Sequence, residues 1–209
     1  MGGRLRGTKE GEKVRAGLYT RPGRDRLYAK VVKIYGKGSS AKVCADAILE
    51  QNNIPARFPE EVLAEAEKIG STPISEEDLK GRLDLRDIAI FTIDSASAKD
   101  LDDAISVSRT RSGGYKLGVH IADVSHYIKE GTALDEEAIS RGTSVYFADR
   151  VVPMLPEALS NGVCSLNAGE DKLTFSAIIH LAGEGNMENS EFRKSVIRSK
   201  VRGGYGEVT

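Results

Sequence analysis

Cysteine is scarce in this sequence: Cys44 and Cys164 are the only two among 209 residues, and their separation is not a metal-ligand spacing. This excludes a disulfide scaffold and a thiolate zinc site and gives no support to a thiol nucleophile, so both are read as small buried hydrophobes. Long apolar runs are lacking as well. The longest, such as Thr174 to Leu181, fall far short of the roughly 20 residues of a membrane span. The N-terminus carries Arg4, Arg6 and Lys9 without an apolar signal core. The expectation is a soluble, cytoplasmic protein with no membrane partner. No Gly-x-x-x-x-Gly-Lys-Ser/Thr run occurs, which argues against a nucleotide triphosphatase, and Gly113-Gly114 and Gly203-Gly204 read as turns.

Net charge is nearly absent too, at −1, yet the charges are sorted along the chain. Residues 1–42 hold twelve Lys or Arg against three acids, a balance of +9, and residues 43–104 hold fifteen acids against six bases, a balance of −9. A basic module therefore precedes an acidic one. Polyphosphate partners attract such a basic segment through counterion release, and a solvated tail would show the same count. With 40% hydrophobic residues the chain has enough apolar surface for one sizeable core and a small second domain.

Leu18 to Thr20, the turn Arg21-Pro22-Gly23-Arg24-Asp25, and Leu27 to Tyr35 read as strand, turn, strand. Tyr19, Tyr28 and Tyr35, interleaved with Arg and Lys, suit base stacking over a cationic track, with ordinary packing as the plainer alternative. Helical composition follows at Ala45 to Gln51. A helix is predicted over Pro59 to Ile69, with proline in its first turn and Gly70 at its end. Ser75 opens a capped turn in which Asp78 stands where a capping box prefers Glu or Gln. Strands are predicted over Ile88–Ile93, Ala104–Ser108, Tyr115–Ala122, Thr174–Leu181 and Glu191–Ile197, with a helix capped by Thr132 between them. The fold class is α+β.

The chemistry concentrates in Asp94, Asp100, Asp102 and Asp103, which straddle a short loop of small residues between two predicted strands. At separations of a few Å each pair would repel by up to about 4 kcal/mol at an effective dielectric near 20. A bound cation would relieve that repulsion, and hard oxygen donors without His or Cys favour Mg²⁺, with Mn²⁺ as the alternative, over Zn²⁺. An EF-hand is excluded, because counting from Asp100 puts Ile105 where the loop needs Gly and Arg111 where it needs Glu. Solvated turn-capping aspartates are the plainer reading of such residues. His120 and His126 flank Asp123 and are read as structural.

These residues carry a family resemblance. Thr92-Ile93-Asp94, five residues, then Asp100-Leu101-Asp102-Asp103-Ala104 resembles the aspartate signature of the ribonuclease R and ribonuclease II family (RNB catalytic domain) in order and spacing. Leu117 to Tyr127, Arg141 to Tyr146, Val152 to Pro156, Cys164-Ser165-Leu166-Asn167 and Val196 to Lys200 are similar to later motifs of the same family. Ser95-Ala96-Ser97 departs from its commoner Gly-Glu-Asp. More loosely, Ala29 to Gly36 resembles the later part of a cold-shock OB module.

The resemblance implies a partial OB-type RNA-binding module over 1–45, a helical linker over 46–85, and the N-terminal part of an RNB catalytic domain over 86–209. It implies a processive 3′-to-5′ exoribonuclease, acting as a monomer, that hydrolyses single-stranded RNA to nucleoside 5′-monophosphates. Asp94, Asp100 and Asp103 would hold Mg²⁺, Asp102 would be the aspartate most needed for chemistry, and Tyr146 and Tyr205 would stack on the terminal nucleotides. The family's later His-x-Thr-Ser-Pro-Ile-Arg-Arg-Tyr run does not occur in these 209 residues, so activity is expected of the longer protein and little of this chain alone. The alternative is a non-catalytic RNA-binding protein. A small-substrate phosphatase lacks its nucleophilic Asp and lysine at motif spacing.

Overall fold

The computed structural model describes residues 7–206. Arg4 and Arg6 of the basic segment, and residues 207–209 of the expected catalytic region, lie outside them. The chain divides into two compact units. One comprises the described residues up to Arg57 together with Thr143–Val152, and the other comprises Phe58–Gly142 with Pro153 onward.

In the first unit, β1 (Glu12–Arg21) and β2 (Arg24–Lys37) form an antiparallel hairpin. Its turn uses Gly23 at φ +74°, a backbone region that glycine enters without penalty. Register sets Tyr19 opposite Tyr28, their rings stack at 5.7 Å, and the Arg21 guanidinium lies 4.8 Å from the Tyr28 ring centre. Helix α1 (Ala41–Gln51) begins four residues earlier than composition suggests, because Ser40 Oγ accepts from the Val43 N–H as an N-cap. Arg15 and Lys33 both pair with Glu50 on that helix. Cys44 is only half-buried, contrary to the expectation of a buried thiol; its Sγ donates to the Gly38 carbonyl instead.

The second unit starts with α2 (Glu60–Ser71) and α3 (Glu76–Leu79). Helix α2 is no linker: Val62 and Ala66 are buried in the hydrophobic core. Gly70 does not end it either. The helix runs one residue further, and a Cβ at Gly70 would stand 3.1 Å from the Ala158 carbonyl, so this glycine serves a close approach. The capping box at Ser75 forms with Asp78 as the reciprocal partner.

Next come β3 (Leu83–Asp84), β4 (Phe91–Asp94), β5 (Asp103–Arg109), β6 (Tyr115–Ala122), α4 (Val124–Tyr127) and α5 (Ala133–Arg141), capped by Thr132 and ended by Gly142 at φ +72°. The short pair β7 (Val145–Tyr146) and β8 (Val151–Val152) belongs to the first unit, where Arg150 bridges to Asp46 at 2.6 Å. A turn of π-helical width, Ala158–Val163, precedes β9 (Asp171–Leu181), β10 (Met187–Arg198) and β11 (Val201–Gly204). Gly203 and Gly204, expected in a turn, lie within β11, which runs parallel to β4. The sheet order is β11-β4-β5-β6-β9-β10-β3. Mixed sheet and helices agree with the α+β class. No helix among the described residues is long and apolar enough to cross a membrane.

The sheet's polarity runs against its hydrophobic pattern. Alternation in β6 suggests that Leu117, Val119 and Ile121 face inward, yet the wholly buried residue is His120, and Ile121 is exposed. His120 Nδ1 lies 2.7 Å from Ser176 Oγ and its Nε2 3.1 Å from Ser106 Oγ. The chain of hydroxyls continues from Ser176 through Ser195 to Thr174. His120 is thus a satisfied structural imidazole. A second buried polar contact pairs Arg82 with Asp123 at 2.7 Å; Arg82 Nη2 also lies 3.2 Å from His126 Nδ1.

Burial pushes the His120 imidazole down to about 4. The unfolded chain, with an imidazole near 6.5, binds a proton that the folded one refuses, so stability drops as pH falls from about 6.5 toward 4. This portion is worth up to about 3 kcal/mol. Urea titrations at pH 7 and pH 5 should show the loss in the wild type and a much smaller one in His120→Gln.

Candidate active site

Strand β4 ends at Asp94 and β5 begins at Asp103, so the eight residues between form the loop that carries Asp100 and Asp102. Leu101 sits between these two aspartates, is almost fully buried, and anchors the loop in the core. Three backbone links hold the loop's C-terminal part. The Leu101 N–H donates to Ser165 Oγ at 3.1 Å, the Leu166 N–H donates to the Leu101 carbonyl at 2.8 Å, and the Ala122 N–H donates to the Asp102 carbonyl at 3.0 Å. On the other side, Gly204 pairs with Asp94 in register and the Tyr205 N–H donates to the Asp94 carbonyl at 3.2 Å. Tyr205 is therefore tethered beside Asp94 by its backbone, while the residue is 66% exposed.

The four carboxylates feel one another. Desolvation raises the Asp94 carboxyl above its usual range, and the charges of Asp103 and Asp100 add to the rise, while Arg202 opposes it. Asp102 is raised by crowding protein and then by Asp100, Asp103 and Asp94. It keeps access to solvent, so its desolvation reflects dense protein on one side and not enclosure. Like charges that close destabilise each other's ionised forms. Asp94 Oδ2 is buried and has no hydrogen-bond partner among the described residues.

The donor chemistry fits a hard divalent cation: carboxylate oxygens only, one of them buried without a partner among the described residues. The geometry is looser than the expected ligand trio of Asp94, Asp100 and Asp103. Among the described residues no three acidic, imidazole or thiolate side chains converge closely enough to grip an ion. Tyr146, the other expected RNA contact, lies in β7 of the first unit and is 64% exposed.

Two residues at this site are not singled out by the sequence. Ser165 is fully buried, and its hydroxyl donates toward the Lys99 carbonyl, 2.9 Å away, with Asn167 Oδ1 at 3.3 Å. Arg202 Nη2 donates to three carbonyls of the aspartate loop: Ser95 at 3.4 Å, Ala96 at 3.0 Å and Ala98 at 2.5 Å. In the sequence Ser165 is only one letter of a family motif, and Arg202 one more cation on a strand.

A family profile of the RNB domain matches residues 82–209, more than half of the chain. The chain belongs to the RNB family, the family of ribonuclease R. A cold-shock domain profile matches residues 2–59. Ribonuclease R of Thermotoga maritima is 48% identical over 206 residues, covering 97% of this chain and 29% of the relative. Ribonuclease R 1 of Lactococcus lactis is 46% identical, covering 85% and 22%. This RNB chain thus spans under a third of the length of these relatives. Among solved structures, Mycoplasma genitalium RNase R in complex with double-stranded RNA is similar with a TM-score of 0.84 and 29% identity, over 97% of this chain and 36% of that one. Yeast Ssd1, a pseudonuclease, shares the fold at a TM-score of 0.73 and 21% identity over 92% of this chain and 24% of its own.

Removing one of the crowded charges should stabilise the ion-free fold of this RNB chain. Asp102→Asn is expected to raise the unfolding temperature in EDTA at neutral pH, by about 2–4 °C for each ~1 kcal/mol of repulsion relieved. Added Mg²⁺ should stabilise the wild type more than the variant. Differential scanning fluorimetry with and without the ion reads both.

Proposed function

We propose that this chain is the carboxylate-bearing part of a Mg²⁺-dependent exoribonuclease that degrades single-stranded RNA processively from its 3′ end, releasing nucleoside 5′-monophosphates. One observation carries the reading. The RNB match coincides with four aspartates, two at strand ends and two on the anchored loop between them, whose crowding raises the proton affinity of Asp94 and Asp102.

Asp94, Asp100 and Asp103 would hold the ion, with the buried Oδ2 of Asp94 as its most protected donor. A bound Mg²⁺ would supply Lewis-acid polarisation of the phosphoryl oxygen and stabilise the leaving oxygen. Asp102 orients the attacking water through its solvent-facing carboxylate. Its raised proton affinity suits it to accept that water's proton at neutral pH better than an ordinary aspartate would. Tyr205, tied by its backbone to Asp94, offers an exposed ring for stacking on a base, and Tyr146 offers another. In the first unit the stacked Tyr19 and Tyr28, flanked by Arg21, form a cationic aromatic surface suited to single-stranded RNA.

A second reading, a non-catalytic RNA-binding protein, draws on the fold that a pseudonuclease shares and on the open spacing of the carboxylates. Fold alone does not decide between them. In a protein of the relatives' length, Asp102→Asn should cut Mg²⁺-dependent release of mononucleotide from 3′-labelled RNA by about 10²–10⁴-fold. RNA affinity, measured by fluorescence anisotropy, should hold steady. Undiminished cleavage would refute the role given to Asp102.

A further inference from the structure

The aspartate loop is held at two separate points by side chains whose hydrogen bonds go to its backbone. Ser165, 64 residues from Leu101 along the chain, uses its hydroxyl as acceptor for the Leu101 N–H and as donor toward the Lys99 carbonyl. These contacts bracket Asp100. Arg202 gathers the carbonyls of Ser95, Ala96 and Ala98 with one guanidinium nitrogen and so fixes the turn that follows Asp94. Neither side chain is a metal donor. Small loops rich in Ser and Ala have no bulky side chains to lock themselves, and only Leu101 of this one is buried in the core. Beyond one internal bond, from the Ala98 N–H to the Ser95 carbonyl at 3.0 Å, and the packing of Ala98 against the core, the backbone between the carboxylates takes its shape from partners outside the loop.

We propose that Ser165 and Arg202 are positioning residues that set the spacing of the four aspartates and thereby the affinity of the carboxylate site for a divalent ion. The proposal rests on the carboxylate-site reading above. Groups that orient metal ligands through hydrogen bonds typically change metal affinity by about 10–100-fold when removed. Ser165 acts on Asp100 and Asp102 through the Lys99–Leu101 backbone, and Arg202 acts on Asp94 through the Ser95–Ala98 turn.

The test is Mn²⁺ binding to the 209-residue chain, followed by electron paramagnetic resonance, with amide hydrogen exchange across residues 95–103 as a second readout. Ser165→Ala and Arg202→Ala should each weaken Mn²⁺ binding by about tenfold or more and speed exchange within the loop. Arg202→Lys, which keeps a donor but not the planar reach, should recover part of the affinity. Ser195→Ala removes a buried hydroxyl from the same sheet without touching the loop, and it should leave Mn²⁺ affinity unchanged. Arg202 lies on an exposed strand, so its variants keep the proposal testable if Ser165→Ala folds poorly. A wild-type chain that binds Mn²⁺, with both alanine variants binding equally well and exchanging normally, overturns the proposal alone. A wild-type chain that binds no Mn²⁺ overturns the carboxylate-site reading and the proposal with it.

Discussion

Four aspartates within ten residues repel one another, and the second unit is organised around tolerating that repulsion. Two strands fix the ends of the segment, one buried leucine pins its C-terminal part, and hydrogen bonds from distant parts of the chain hold more of its backbone. Relaxed side chains could swing away from each other, but the main chain to which they attach has little freedom to follow. The result is a carboxylate cluster whose crowding raises the proton affinity of Asp94 and Asp102, so the segment's charge works against its own stability.

The same unit handles buried polarity in a different manner. Its sheet turns a histidine and several hydroxyls toward the packed side, and these satisfy one another instead of meeting apolar neighbours. Such a network specifies one register, since a slip by one residue would strand every member without a partner. Arg82 and Asp123 add a buried ion pair that ties the segment after α3 to the end of β6. Removing one partner of such a pair leaves a charge in a dry setting, so its value lies in uniqueness of structure more than in net stabilisation.

Much of the fold is legible in the sequence because local signals agree with it. β6 has the predicted bounds, and the helix capped by Thr132 and the hairpin around Gly23 lie where capping and turn chemistry put them. The aspartate loop is legible from spacing between strands. What sequence reasoning misses depends on contacts distant along the chain. Gly70 reads as a stop because no local signal announces the nearness of Ala158, and β6 reads inside out because alternation assumes an apolar interior. Ser165 and Arg202 escape for the same reason, since a hydroxyl or guanidinium acquires its meaning from the carbonyl it meets.

Gly118 shows how far that interior constrains variation. A methyl group there would stand 2.4 Å from Ser106 Oγ and 2.7 Å from His120 Nε2, so even alanine would push apart the two atoms that hydrogen-bond above it. The Ser106–His120 bond between neighbouring strands occupies the place a side chain at Gly118 would take. A residue that offers no side chain is thereby fixed by its neighbours, because the room a methyl group would need is already taken.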